Sequence, residues 1–271
     1  MPVPQAGEVL IEVKGAGINN TDINTRLGWY SKKVTSDTNA NGIEGLSEVD
    51  DNDASWDGIP LKFPRIQGGD ICGIIVQVGE GVEQDRIDTR TIVRSMQNNP
   101  TSNNPLEMQT MGSEFNGGFA QYCVAKAKES FPINCDWSDI ELASIPISYS
   151  TAEGMLCRAD VEKETILITG ASGGVGSAAI QLAKIRGATI IAQCSPDKAS
   201  FLKDLGADQT VNRSDNLVKV LGKNSVDVVF DLVGGSSWPQ LLDIIKPGGK
   251  FVTSGAIAGP IVDLDLRSLY L

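Results

Sequence analysis

The sequence predicts an α/β fold in two parts, a mostly β first part over residues 1–130 and a doubly wound parallel sheet over residues 131–271. Three observations predict it. Residues 165–184, TILITGASGGVGSAAIQLAK, read as a strand, a glycine-rich turn and a helix in direct succession. After them, apolar β runs alternate with helical patterns, which calls for right-handed β-α-β crossovers. Before them, short β runs alternate with glycine and polar turns.

In chain order, residues 8–14 read as a strand broken by Gly15-Ala16-Gly17. Ile18–Asp22 is a polar turn leading into a short helix and Gly28-Trp29-Tyr30. Residues 31–60 are acidic and keep no period of 2 or 3.6, so they read as a long loop: a solvated insertion or a substrate lid. Strands are expected at residues 71–78 and 91–94, a loop at 95–116, and a strand entered through glycines at 117–124. Helices are expected at 139–143 and 150–157.

From Thr165 the elements are longer. Ile166-Leu167-Ile168 opens the first strand, and Ala179, Ile180 and Ala183 form the apolar face of the helix after it. Residues 189–192 are the second strand. Ser195 then stands as N-cap and Pro196 at the first helical position of the next helix, which Gly206-Ala207 ends. Val211 lies in a short third strand and residues 226–230 are a buried parallel strand. A helix over 238–245 stops at Pro247-Gly248-Gly249, and residues 250–254 form the fifth strand.

A strand, glycine turn and helix in that order build a phosphate site, because the helix N-terminus offers unpaired N–H groups and the positive end of its dipole. Ser172, Gly173, Gly174, Val175 and Gly176 are its candidate residues. Gly173 lets the backbone approach a pyrophosphate, and Gly176 lets the helix pack close to the strand. Ala171 replaces the first glycine of G-x-G-x-x-G, so the flanking strand and helix carry the signal; a structural turn in another α/β sheet is the alternative.

Composition narrows the function. Net charge is −11, from 23 Lys and Arg against 34 Asp and Glu, which argues against nucleic acid and anionic membrane surfaces as partners. No apolar run reaches transmembrane length, and residues 1–13 lack the pattern of a signal peptide, so the expected location is cytoplasmic. The five cysteines are widely spaced without C-x-x-C, as reduced thiols would be. There is no histidine, which removes histidine-containing zinc sites and any Ser-His or Cys-His nucleophile.

These stretches carry a resemblance. Gly17–Asp22, Gly68–Gly73, Gly117–Tyr122, Ala171–Gly176, Leu205–Asp208, Val226–Gly235 and Lys246–Gly255 occur in the order found in the medium-chain dehydrogenase/reductase superfamily. The chain most resembles its zinc-free quinone oxidoreductase branch. The resemblance implies a GroES-like catalytic domain followed by a Rossmann domain, strands before Met1, a sixth sheet strand after Leu271, and a homodimer through that strand. It also implies that zinc-dependent members carry a cysteine at the position of Asn19 and a histidine at that of Gly69. The structural zinc lobe would fall within residues 95–116, which hold no cysteine, so no metal is expected.

The expected cofactor is NADP(H). The end of the second strand, Ala192–Ser195, has no acid to accept from a ribose 2′-OH. The resemblance implies that Ser195 and Lys198 hold the 2′-phosphate, with Arg213 beside the adenosine; a solvated surface lysine is the other reading of Lys198. Asp197 is the contrary clue, unless it only serves a helix first turn. The resemblance also places Thr151, Gly255 and Ala256 against the cofactor, where plain cap and turn chemistry would account for them equally. Asn19, Asp22 and Tyr30 are the catalytic candidates: Asn19 to orient nicotinamide or substrate oxygen, Asp22 to fix the turn, Tyr30 to donate a proton or hydrogen bond. Each also reads as a turn residue or a packed ring. Without zinc, an electrophilic small-molecule acceptor, a quinone or an α,β-unsaturated carbonyl, is the expected substrate. A non-catalytic NADPH-binding sensor or scaffold, or alcohol dehydrogenase-type activity, is the alternative.

Overall fold

The computed structural model describes residues 1–38, 61–99, 102–104 and 107–270. Among them, residues 1–34 and 61–147 form one unit and residues 35–38 and 148–270 a second. Most of the acidic stretch, with its lid reading, lies outside the described residues. Among the described residues no helix is long and apolar enough to cross a membrane.

The first unit is a five-stranded antiparallel sheet. Its strands are β1 (Glu8–Gly17), β2 (Asp70–Val78), β3 (Arg90–Val93), β6 (Tyr122–Lys126) and β7 (Ser130–Pro132), ordered β6-β1-β2-β3-β7. Val9, Ile11, Ile71, Ile75 and Cys123 form its core. Gly73 is required in β2, because a Cβ there would run into the Glu12 carbonyl of β1. Helix α1 (Asn20–Leu27) follows β1 and ends on Gly28 at φ 72°, the left-handed cap that favours glycine. Helices α2 (Asp139–Ala143) and α3 (Pro146–Arg158) come later in the chain.

Two expectations fail in this unit. The 95–116 stretch is not all loop: β4 (Met96–Asn98) and β5 (Met108–Thr110) pair as an antiparallel hairpin. Three-residue strands among Asn, Pro and Ser leave no alternation long enough to read. The strand expected at residue 117 begins only at Tyr122. Gly117, Gly118 and Phe119 donate their N–H groups to the carbonyls of Ile66, Gly68 and Gln67 instead of to a sheet neighbour. At Gly117 and Gly118 a Cβ would collide with Gly68 and Ile71.

The second unit is a parallel sheet of β8 (Thr165–Ile168), β9 (Thr189–Cys194), β10 (Gln209–Asn212), β11 (Val226–Asp231) and β12 (Ile245–Thr253). The order is β10-β9-β8-β11-β12, a doubly wound 3-2-1-4-5 sheet. Strand period 2 assigns the side chains to two cores. Ile166 and Ile168 pack with Ala179, Ile180 and Ala183 of α4 (Gly174–Arg186), all fully buried. Leu167 faces the other way, with Val229 and with Leu241 and Ile244 of α7 (Trp238–Ile244). Helices α5 (Ala199–Asp204) and α6 (Leu217–Leu221) complete the crossovers. Pro247-Gly248-Gly249 does not precede the last strand but lies within it, where the register shifts between the pairs Val226–Ile245 and Val228–Lys250. The helix ends because Ile245 is already extended, at φ −72° and ψ 135°.

Candidate functional site

In the second unit the C-terminal ends of β8 and β11 are tied by a buried clasp. The Thr169 hydroxyl donates to Asp231 Oδ1 at 2.6 Å, and Leu232 N–H donates to Thr169 Oγ1 at 2.9 Å. Asp231, fully buried, also receives the N–H groups of Val233 and Gly234, each at 3.1 Å. A buried carboxylate is tolerated when donors surround it in this way. The clasp sets the 232–235 loop, and Gly255 and Ala256 pack against it. A Cβ on Gly255 would strike the Leu232 carbonyl, and one on Gly234 would stand 3.3 Å from Ala256 Cα.

The glycine turn leaves β8 beside this clasp. Gly170 has φ 58°, and Gly173 N–H closes the turn on the Gly170 carbonyl at 3.0 Å. Gly173 is the N-cap of α4, at φ −79° and ψ 173°, and no side-chain hydrogen bond caps the helix among the described residues. Ser172, Gly173 and Gly174 are exposed, Val175 is half-buried and Gly176 buried. The glycines do different work. A Cβ on Gly173 would come no closer to a non-adjacent protein atom than 3.4 Å, from the Gly170 carbonyl, so the space it faces is open. A Cβ on Gly176 would lie 2.5 Å from that carbonyl and 2.6 Å from Ala171 Cα, so this glycine lets helix and turn touch. An uncapped helix N-terminus behind an open glycine fits the pyrophosphate of a dinucleotide.

At the end of β9, Ser195, Asp197, Lys198 and Arg213 come together. The Ser195 hydroxyl, foremost, holds the exposed Asp197 carboxyl below its ordinary range, with the Lys198 and Arg213 charges adding to it. Lys198 Nζ lies 4.0 Å from Asp197 Oδ2, and Arg213 N–H donates to the Cys194 carbonyl at 3.0 Å. Ser195 stands at the N-cap position, but its hydroxyl makes no capping bond to the 3₁₀ turn Pro196–Lys198. Asp197 is in the first turn of that segment, and it also engages the proposed phosphate donors. Thr151 lies half-buried within α3 rather than at its start.

In the first unit, α1 sets the three catalytic candidates. Asn19 and Asp22 form a capping box, with Asn19 N–H donating to Asp22 Oδ2 at 2.9 Å. Asp22 also accepts N–H groups from Gly68 and Gly69, yet burial outweighs these bonds and raises its pKa. Its carboxylate is therefore occupied in holding the turn to the 68–69 strip. The Tyr30 hydroxyl donates to Thr21 Oγ1 at 3.0 Å, and its ring meets Trp29 edge-on at 5.6 Å. Thr21, Asp22, Thr25, Gln67 and Ser113 line a small recess, with room for about one water molecule.

Asp70, at the start of β2, escaped the sequence reading as a site residue. It is 1% exposed, accepts Asn19 Nδ2–H at 2.8 Å and Ile147 N–H at 2.7 Å, and is pushed up to about 6. Burial is the main cause; the two hydrogen bonds oppose it and the Asp22 charge assists it. Its only sequence signal was the Gly68-Gly69-Asp70 stretch. Thr169 and Asp231 were missed likewise, because their partnership spans 62 residues.

A zinc ion is the group these positions hold in zinc-dependent relatives, and the residues here do not fit it. Gly69 has no side chain to offer a metal, and its Cβ direction is filled by Ile147 Cδ1 at 2.7 Å. Asn19 directs its amide nitrogen to Asp70. Among the described residues no three Cys, Asp or Glu side chains gather to hold a metal.

An antiparallel β unit, followed in the chain by a 3-2-1-4-5 parallel sheet with a glycine turn after its first strand, defines the GroES-like plus Rossmann class of protein. The model of the alcohol dehydrogenase GroES-like domain matches residues 5–135, and that described as zinc-binding dehydrogenase matches residues 174–271. A chloroplastic quinone-oxidoreductase homolog of Spinacia oleracea is 31% identical over 263 residues, 93% of this chain and 67% of that protein. A chloroplastic NADPH-dependent alkenal/one oxidoreductase of Arabidopsis thaliana is 28% identical over 266 residues, 96% of this chain and 58% of that protein. A solved structure from Sinorhizobium meliloti described as an alcohol dehydrogenase is 42% identical with a TM-score of 0.86, covering 99% of this chain and 73% of that one. The chain thus spans 58% to 67% of the length of these two curated relatives. It belongs to the medium-chain dehydrogenase/reductase superfamily, in its quinone-oxidoreductase-like branch.

Proposed function

We propose that the protein is a zinc-independent, NADPH-dependent oxidoreductase that delivers hydride to a quinone or an α,β-unsaturated carbonyl. The observation that carries the proposal is the uncapped N-terminus of α4 behind the open space at Gly173. The N–H groups of the first turn of α4 receive the pyrophosphate there. Ser195 and Lys198, with Arg213 nearby, hold the 2′-phosphate, and Thr151, Gly255 and Ala256 contact the remainder of the cofactor. When bound, NADPH supplies the hydride.

Quinones and enones are already electrophilic, so reduction needs hydrogen-bond donors at the developing oxyanion rather than a Lewis acid. Asn19 supplies an amide N–H to that oxygen. Tyr30 supplies a hydroxyl that donates a hydrogen bond or a proton once it gives up its bond to Thr21 Oγ1. Asp22 holds the turn that carries Asn19. The names of the Spinacia and Arabidopsis relatives support this substrate class. We extend the proposal to a homodimer in the cytoplasm.

The test is NADPH oxidation, followed by absorbance, with a panel of quinones and enones. Turnover with at least one acceptor is expected. Tight NADPH binding without turnover on the full-length protein would favour a non-catalytic nucleotide-binding role. NAD(H) is the second reading of the cofactor, favoured by one observation: Asp197, an acid just past the end of β9, takes the Ser195 hydroxyl that a 2′-phosphate would need.

A further inference from the structure

Asn19 can stabilise a developing oxyanion only if its carboxamide presents nitrogen, not oxygen, to the substrate. An amide that flips exchanges the two ends, so something must fix it. Asp70 meets that need. Its carboxylate has one oxygen on Ile147 N–H at 2.7 Å and the other on Asn19 Nδ2 at 2.8 Å. With Asp70 ionised, above about pH 6, a flipped Asn19 would set its carbonyl oxygen against a buried carboxylate oxygen, two acceptors with no proton between them. The Asn19 main chain is held separately, by its backbone N–H on Asp22 Oδ2 at 2.9 Å. A primary amide has two N–H donors. Asp70 takes one, and a carboxylate acceptor polarises the group and strengthens the other.

We propose that Asp70 is a positioning residue: it locks the Asn19 carboxamide in the orientation that offers its second N–H to the substrate oxygen as negative charge builds there. The inference rests on the function proposed above. It assigns to Asp70 a task that binding NADPH does not require.

Two variants of the full chain test it, with turnover, NADPH calorimetry and thermal unfolding as readouts. Asp70→Asn keeps an acceptor for Ile147 but turns an amide toward Asn19, which then flips. A fall in kcat of about 100-fold is expected, the size seen when one oxyanion donor is lost, with the NADPH Kd unchanged. The exchange Asn19→Asp with Asp70→Asn rebuilds the bond with donor and acceptor reversed. It should unfold cooperatively with that hydrogen bond kept, yet leave kcat low, because Asp offers no N–H. Should the single variant fail to fold, the exchange alone decides. Wild-type kcat in Asp70→Asn, or recovery of kcat in the exchange, would overturn the proposal. A wild-type protein that binds NADPH but reduces no quinone or enone would instead overturn the functional reading, so the two failures are distinguishable.

Discussion

Gly173 and Gly176 stand three residues apart in one turn, and the same substitution should have opposite effects at the two. At Gly173 an alanine Cβ meets only the Gly170 carbonyl at 3.4 Å, and the backbone, at φ −79°, is one any residue adopts. Gly173→Ala should therefore cost about 0.5–1 kcal/mol, the usual difference at an N-cap, or roughly 1–4 °C in a chain of this size. The methyl group instead fills the space assigned to the pyrophosphate, and NADPH affinity should fall by about 10- to 100-fold, or ~1.4–2.8 kcal/mol. At Gly176 the Cβ would lie 2.5 Å from the Gly170 carbonyl and 2.6 Å from Ala171 Cα, nearly 1 Å inside ordinary contact, and both neighbours are backbone. Turn and helix must separate, at about 2–4 kcal/mol, lowering the melting temperature by roughly 4–16 °C. Thermal unfolding by circular dichroism and calorimetric titration with NADPH measure both quantities. Wild-type affinity in Gly173→Ala would refute the phosphate assignment, and an unchanged melting temperature in Gly176→Ala would refute the packing argument.

Three further outcomes are expected. Lys198→Ala should weaken NADPH by about 10-fold or more and NADH by much less, since only the former carries a 2′-phosphate; equal losses would remove Lys198 from that site. Asp70, raised from 3.8 to about 6, binds its proton more tightly in the folded state than in the unfolded chain. Its contribution to stability is thus complete below about pH 4 and is lost as pH rises through about 6, a change of up to ~3 kcal/mol. Asp70→Asn should flatten the pH 4–6 part of the stability profile measured by denaturant titration, and an unaltered slope would contradict the assignment. Asp231→Asn sets an amide against donors that now meet a carboxylate, and should cost about 2–4 kcal/mol, read as a lowered denaturation midpoint.

What could be read from the sequence was whatever repeats or stays local. Ile166, Leu167 and Ile168 alternate between two cores, and Ala179, Ile180 and Ala183 recur at helical spacing, so β8, the turn and α4 follow from neighbouring residues. The polar turn at Asn19–Asp22 was legible because its residues are sequence neighbours, while the capping box within it came only with the fold. The β4–β5 hairpin was not, since strands of three residues carry no period. Residues 117–119 misled the reading because their glycines serve a close crossing with residues 66–68 rather than entry to a strand. Asp70 was hidden for a related reason: its partners Asn19 and Ile147 lie 51 and 77 residues away. Asp197 shows the same limit at the cofactor end. An acid after Pro196 reads as a helix first turn, but only the fold puts the Ser195 hydroxyl and the Arg213 charge around it.

The central claim is that this chain holds a pyridine dinucleotide on the backbone of its glycine turn. Titration calorimetry of the intact protein with NADPH and with NADH tests it most directly. Saturable one-to-one binding is expected, tighter for NADPH and weakened in Gly173→Ala. Absence of measurable association with either nucleotide, by a protein that unfolds cooperatively, would contradict it.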